Sequence, residues 1–305
     1  MRVLVTGAAG FVGRHMIREL AGNGHEAVAF DACFQSPVGE AAASLTGDLC
    51  DSTSVERAIS SSDCNACIHL GAISFVPAGH SNPALMFSVN VLGTLNVLEA
   101  FRKRKSEVRI LVVSTAQIYG TASVAEAIRE DAPVAPVSMY AISKTAADLT
   151  TLAYARQYGM SAMTARPNNH TGPCQSPQFF VPSFAHQIKA IARGESDAVL
   201  KVGNLDSRRD IMDVRDVTRA YRLLLELGTS GEAYNISSQN VLAVRDVLER
   251  LCDLAGIHPK IAVDPSKFRP TDSSPSLDTA KIHAHTGWTP RIGITDTFKD
   301  ILSEA

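Results

Sequence analysis

The sequence predicts an α/β fold in which a doubly wound parallel sheet carries a smaller α/β domain. Three observations predict it. Short apolar runs of strand length alternate with helical stretches from residue 3 to residue 165; a glycine turn, Gly7-x-x-Gly10-x-x-Gly13, joins the first run to the first helix; and an acid, Asp31, ends the second run 18 positions after Gly13. Runs of Val, Leu and Ile without polar alternation suit parallel strands buried on both faces. Strand, glycine turn, helix, strand and acid in that order make a Rossmann-type dinucleotide unit.

Residues 3–5, Val-Leu-Val, form the first strand. In the turn that follows, Gly7 and Gly10 let the backbone bend tightly and approach a pyrophosphate, while Gly13 lets the helix lie close on the strand. Phe11 and Val12 stand in the first helical turn, whose unpaired amides face the phosphates. Residues 26–30 are the second strand, and the Asp31 carboxylate after it can accept from both ribose hydroxyls and repel a 2′-phosphate. NAD is therefore the expected cofactor, with NADP possible because Arg14 follows the last glycine. The alternation continues with a strand at 44–49, a helix at 53–60 and a strand at 66–70, where Gly71-Ala72 are small enough to let the cofactor pass. Asp48, after Gly47, can reach the adenine amine or serve the N-cap region of the next helix. A helix over about 83–105 has a basic end at 102–105, which suits its negative terminus.

The strand at 108–114 delivers Ser114 and Thr115 to the carboxyl edge of the sheet, where ligands of open α/β sheets sit. The next helix carries Tyr140 and Lys144, and a strand at 161–165 runs into Arg166-Pro167. Beyond Pro167 the regularity breaks. Residues 168–205 are rich in Pro, Gly, Asn and Gln around a helix at 179–193, and helical patterning returns at 210–227 and 241–255. The expected division is a dinucleotide-binding domain of residues 1–167 plus about 206–238, and a second domain of residues 168–205 plus about 239–305.

Tyr140 and Lys144 lie four residues apart in a stretch without interior Gly or Pro, so a helix puts both side chains on one face. A phenol has a reference pKa of ~10, and making it a proton-transfer group near neutral pH takes about three units, or roughly 4 kcal/mol. One ammonium ~4 Å away at an effective dielectric of ~20 offers about that much. The expectation is that Lys144 draws the Tyr140 phenol down.

Composition sets the outer limits. The chain has 305 residues, 45% hydrophobic and 20% charged, with net charge −2. No basic excess argues for nucleic acid. The apolar runs read as strand-sized and interrupted, so no membrane span is expected, and the opening Met-Arg-Val-Leu-Val-Thr-Gly is too short an apolar run for a secretory signal. A cytoplasmic protein with reduced cysteines follows. Cys64 and Cys67 form a lone Cys-x-x-Cys with no second pair at zinc spacing, so no metal is expected.

Taken in order, Gly7-x-x-Gly10-x-x-Gly13, Asp31, His69-Leu70-Gly71-Ala72, Ser114-Thr115 through Tyr119-Gly120, Tyr140-x-x-x-Lys144 and Arg166-Pro167-x-Asn169 resemble the extended short-chain dehydrogenase/reductase family acting on nucleotide sugars. Residues 169–176, 201–205 and 209–210 resemble the GDP-4-keto-6-deoxy-mannose reductases and, more distantly, the GDP-mannose 4,6-dehydratases. The resemblance implies that Thr115, Tyr140 and Lys144 are catalytic. It implies cofactor contacts from Leu49, Leu70, Ser114 and Pro167 besides the residues above. It implies a substrate site of Ser74, Thr115, Gln117, Asn169, Val181, Lys201, Arg209 and Arg269, taking a nucleotide sugar, with a GDP-sugar favoured. It also implies a homodimer through the helices near 83–105 and 138–158.

Dehydratases of this family carry a Glu two residues before the tyrosine of the Tyr-Gly step. Here that position is Gln117, which exchanges no proton at neutral pH. Reduction of a GDP-4-keto-6-deoxy-hexose is the leading expectation. A 4-epimerase needs only the tyrosine, the lysine, a hydroxyl and tightly held NAD, so it stays open, as do dehydration and a catalytically idle NAD- and nucleotide-sugar-binding protein.

Overall fold

The computed structural model describes residues 1–104, 107–120, 127–267 and 274–304. In chain order the first half comprises β1 (Arg2–Thr6), α1 (Phe11–Gly22), β2 (Glu26–Asp31), β3 (Ala43–Thr46), α2 (Ser52–Ser62), β4 (Ala66–His69), α3 (Val76–Ser81), α4 (Pro83–Phe87), α5 (Gly93–Arg104), β5 (Arg109–Val113), α6 (Met139–Tyr158) and β6 (Ala162–Pro167). The second half comprises β7 (Asn169–Thr171), α7 (Phe180–Ala192), β8 (Val199–Val202), β9 (Arg208–Asp213), α8 (Val214–Leu227), β10 (Ala233–Ile236), β11 (Val241–Ala243), α9 (Val244–Ala255), β12 (Lys260–Val263), α10 (Ala280–Thr286) and α11 (Ile294–Ser303).

Among the described residues the main sheet has seven strands in the order β10-β6-β5-β4-β1-β2-β3, all parallel. Strand order reverses between β1 and β4, so the crevice outside their carboxyl ends is where this topology binds ligands. Val3, Val5 and Ile17 pack with Tyr221, Leu224 and Trp288 on the face covered by α1 and α8. Leu4, Val28, Val97, Phe101 and Ile110 fill the opposite face beneath α2 and α5. Two small sheets, β11-β9-β7 and β12-β8, stand apart with α7, α9 and α11 around a separate core of Val181, Phe184, Ile188, Leu248 and Phe298.

Four expectations shift. Helical patterning was expected from residue 210, but Arg208–Asp213 is a strand and the helix begins at Val214, where the Asp213 carboxylate accepts from the Arg215 amide and caps it. Residues 241–243 are likewise a strand before α9. The long helix near 83–105 is interrupted by a π turn at Ser88–Leu92 that brings Asn90 into the interior, and Lys105 lies outside the described residues. Among the described residues Pro83–Arg104 is also long and apolar enough to cross a membrane by length and composition, against the expectation of strand-sized runs only. Its Leu, Val, Met, Phe and Ala side chains keep hydropathy high, and Val97, Leu98 and Phe101 among them are spent on the core under the sheet, as in a core helix.

Candidate active site

The crevice opens into a cavity of about 1240 Å³ that reaches from the glycine turn to α7, β8 and β9. At its cofactor end, β1 delivers the chain to Gly7, whose φ of +68° is left-handed and whose absent Cβ would stand 2.8 Å from the Gly71 Cα. A Cβ on Gly13 would collide with the Gly7 carbonyl oxygen, so this glycine seats α1 against the turn. Gly10 differs: its Cβ would meet only the Gly7 oxygen, at 3.2 Å. Gly10 also caps α1 without a side chain, which leaves the first-turn amides toward the cavity. Open helix amides above a glycine floor fit a pyrophosphate, and the geometry suits a dinucleotide.

Asp31 borders the cavity, but its two oxygens already accept from the Ala9 amide at 2.9 Å and the Ala32 amide at 2.7 Å. It thus holds the turn as well as facing the ribose position. Arg14 lies across the same wall, its guanidinium donating to Ala9, Pro37 and Ser36 carbonyls at 3.2, 3.2 and 3.3 Å and to the Ser36 hydroxyl at 2.9 Å. A carboxylate and a guanidinium therefore flank one corner. Asp48 lines the cavity and accepts from the Cys50 amide at 2.8 Å, while the cap of α2 is Asp51. Leu49, Leu70, Ala72 and Pro167 line the same space.

At the reacting end, Ser138 caps α6 by accepting from the Ala141 amide at 3.1 Å, and the first turns of the helix present Tyr140 and Lys144. Both are buried, at 9% and 5% exposure, and both line the cavity. Thr115 follows β5 and caps a short 3-10 turn through the Gln117 amide at 3.3 Å. Thr115 and Tyr140 line the same part of the cavity, and the Thr115 hydroxyl acts on the Tyr140 phenol. Ser114 donates to the Lys144 carbonyl at 3.5 Å, a strap between β5 and α6.

The electrostatic expectation does not hold in this arrangement. Burial pushes the Tyr140 phenol up to about 12, opposed only by the Thr115 hydrogen bond. Burial equally lowers Lys144 to about 8, against the pull of the Asp148 carboxylate. Desolvation acts on both groups and outweighs the ammonium effect anticipated from spacing. Asp148, one turn beyond Lys144, is fully buried and accepts from Arg166 at 2.8 and 3.1 Å. The same guanidinium donates to the Tyr119 hydroxyl at 2.8 Å, which donates to Asn235 at 2.8 Å. Both partners of this buried pair are satisfied, and it ties α6 to β6 and β10.

Of the residues expected to bind substrate, Ser74, Gln117, Asn169, Lys201 and Arg209 line the cavity. Asn169 donates to the Ser274 hydroxyl at 2.7 Å. Val181 does not join them: it is 2% exposed and packs into the core shared by α7, α9 and α11, because the inward stripe of α7 takes it. Arg269 lies outside the described residues. The spacing of the sequence did not point to Lys267, His170 or Phe179, which also line the cavity. Among the described lining residues the carboxylates are Asp31 and Asp48, both toward the cofactor end. Cys64 and Cys67 are buried under the sheet, where desolvation pushes both thiols up.

Comparison with known proteins adds independent observations. The sequence pattern of the GDP-mannose 4,6 dehydratase family matches residues 4–301. The chain is 34% identical over 305 residues to GDP-6-deoxy-D-mannose reductase of Pseudomonas aeruginosa, covering 99% of this chain and 96% of that one. It is 30% identical to dTDP-glucose 4,6-dehydratase of Streptomyces niveus, covering 97% and 90%. The structure of RMD from Pseudomonas aeruginosa complexed with NADPH superposes with a TM-score of 0.87 at 32% identity, covering 99% and 98%. That of Thermus thermophilus UDP-glucose 4-epimerase in complex with NAD superposes with a TM-score of 0.88 at 31% identity, covering 99% and 98%.

Proposed function

The chain belongs to the GDP-mannose 4,6-dehydratase family of extended short-chain dehydrogenases/reductases, and from that premise we propose that it is an NAD(P)-dependent oxidoreductase that reduces C4 of a GDP-4-keto-6-deoxy-hexose. The observation that carries this reading is the make-up of the reacting end: Tyr140, Thr115, Lys144 and Gln117 line one part of the cavity, and lining carboxylates stand only at Asp31 and Asp48 among the described residues. Elimination across C5 and C6 needs a further acid/base group, and Gln117 supplies none.

When bound, the reduced nicotinamide supplies a hydride to C4. The rest is done by the chain. Tyr140, held protonated at neutral pH by burial, gives its proton to the C4 oxygen as that oxygen gains charge. Thr115 orients the same oxygen, and the Lys144 ammonium steadies the tyrosinate and the nicotinamide ribose. Lys201 and Arg209 at the far end suit a diphosphate.

The test is loss of the reduced-nicotinamide absorbance when protein, NADPH or NADH and a GDP-4-keto-6-deoxy sugar are mixed; no loss with either cofactor sinks the reading. The pH dependence has a defined sign. The Lys144 ammonium, lowered to about 8, loses its proton as pH rises through that value, so turnover and NADH affinity fall on the alkaline side. Tyr140, raised to about 12, keeps its proton through that range and adds no second alkaline limb below that value. An epimerase would instead keep NAD through purification and turn over without added cofactor; the likeness to UDP-glucose 4-epimerase favours testing for this.

The reading extends to a cytoplasmic homodimer. Leu85 on α4 and Leu92 in the π turn, and Ile142 and Leu149 on α6, are exposed large apolar side chains on the two stretches, 83–105 and 138–158, expected to pair. Molar mass by light scattering decides it.

A further inference from the structure

Beneath the cavity a continuous set of hydrogen-bonded groups, side chains joined at the Asn90 main-chain carbonyl, runs from the glycine turn to the helix of Tyr140. Thr6, His69, Thr94, Asn90 and Ser143 are all buried, and none of them lines the cavity. The Gly71 amide donates to Thr6 Oγ1 at 3.1 Å, and Thr6 Oγ1 lies 2.6 Å from His69 Nδ1. His69 Nε2 lies 3.0 Å from Thr94 Oγ1, which donates to the Asn90 carbonyl at 2.7 Å. The Asn90 amide nitrogen donates to Ser143 Oγ at 2.9 Å and to the Ile73 carbonyl at 3.1 Å, while its oxygen accepts from the Ile73 amide at 2.7 Å. Ser143 Oγ closes the chain on the Tyr140 carbonyl at 2.8 Å.

Counting protons fixes the direction. A threonine hydroxyl has one hydrogen. Thr94 spends its hydrogen on Asn90, so it can only accept from His69, and the imidazole proton sits on Nε2. Nδ1 is then an acceptor and takes the Thr6 hydrogen, which leaves the Thr6 oxygen to receive the Gly71 amide. Burial lowers the imidazole to about 3, with the Lys144 charge adding to the effect, so the ring is neutral at working pH.

We propose that His69 is a positioning residue for the reaction: as a neutral Nε2–H imidazole it couples the cofactor wall at Gly71 to the first turn of α6, and so sets where Tyr140 stands relative to the cofactor. It has two separable arms. The Nδ1 arm holds Gly71, which is packed against Gly7 in the turn. The Nε2 arm acts through Thr94 and Asn90, which the π turn brings inward, and through Ser143 on α6. No ligand atom needs to touch the ring for it to act.

The two arms can be cut one at a time, because an Asn side chain places its amide near Nδ1 and a Gln side chain near Nε2. His69→Asn keeps the arm to Thr6, so NADH affinity stays near that of the unmodified protein while kcat falls about tenfold. His69→Gln keeps the arm to Thr94, so NADH binds about tenfold more weakly while kcat at saturation is nearly retained. A purely structural histidine predicts that both variants lose both properties in step with their Tm, and that result overturns the proposal, as does a pair of variants unchanged in both. In the unmodified protein, 15N NMR of the imidazole is expected to show the Nε2–H tautomer without titration between about pH 5 and pH 9; the other tautomer, or titration in that range, also overturns it. Only the kcat arm rests on the proposed reductase reading. NADH affinity and the imidazole spectrum stand or fall without it.

Discussion

At the cofactor end of the cavity the chain shapes its ligand space with backbone: a left-handed glycine, a helix terminus without a side-chain cap, and a carboxylate whose oxygens are turned onto peptide amides. At the proposed substrate end the same cavity is shaped by side chains from segments far apart in sequence, with Ser74, Gln117, Asn169, Lys201 and Lys267 all on its lining. Backbone shaping ties recognition to the fold, so it is shared by every protein with the turn. Side-chain shaping leaves recognition free to vary. Tyr140 sits where the two meet, and substitutions at the three places should separate fold, chemistry and specificity.

The largest effect is expected at the junction. Tyr140→Phe removes the proposed proton donor but keeps the ring that fills the wall, so turnover should fall by about 10²- to 10⁴-fold. NADH affinity should hardly move, because the glycine turn and α1 are untouched. Steady-state rates and NADH fluorescence titration read the two separately. Turnover near that of the unmodified protein would place the proton donor elsewhere.

The same contrast explains what could be read in advance. The parallel sheet, the turn and the Tyr140/Lys144 helix were legible because each follows from local periodicity and spacing: Val3 to Val5 are buried on both faces, and Ser138 caps a helix with no internal breaker. The strand at Arg208–Asp213 was not, since its apolar residues merge with the pattern of α8 and only the Asp213 cap separates them. Val181 was assigned to the substrate, but the rotation of α7 gives it to the core. The rise of the Tyr140 phenol was invisible as well, because spacing reports the neighbouring ammonium and not the desolvation that both groups share. Asp148 and Arg166 show the same gap: 18 residues apart in sequence, they become partners only when α6 lies back on β6.

A smaller effect is expected at the substrate end. Lys201 is on β8, where its backbone pairs with the Gln187 side chain at 2.9 and 3.2 Å, so the fold holds its strand whatever the side chain is. Lys201→Ala should therefore leave Tm and NADH affinity nearly unchanged and raise KM for the nucleotide sugar by about tenfold, the loss of one charge-assisted contact to a diphosphate. A change in kcat with KM unaltered would move Lys201 out of the substrate site.

The smallest effect is expected where backbone and side chain share a task. Asp31 presents negative charge to the ribose corner, which opposes a 2′-phosphate, yet it also accepts from the Ala9 and Ala32 amides and so stiffens the turn for either cofactor. Asp31→Ala removes both contributions. The loss of the amide contacts should weaken NADH and NADPH alike, whereas the loss of repulsion helps NADPH alone, with Arg14 still on the same wall. A charge pair ~6 Å apart at an effective dielectric between ~20 and ~80 is worth about 1–3 kcal/mol, of which solvent at this open corner should leave the lower part. The ratio of NADPH to NADH affinity should thus rise several-fold while both absolute affinities fall. An unchanged ratio in paired titrations would mean that the carboxylate serves the turn alone, and that cofactor choice is made by backbone shape even at the corner where a side chain seemed to make it.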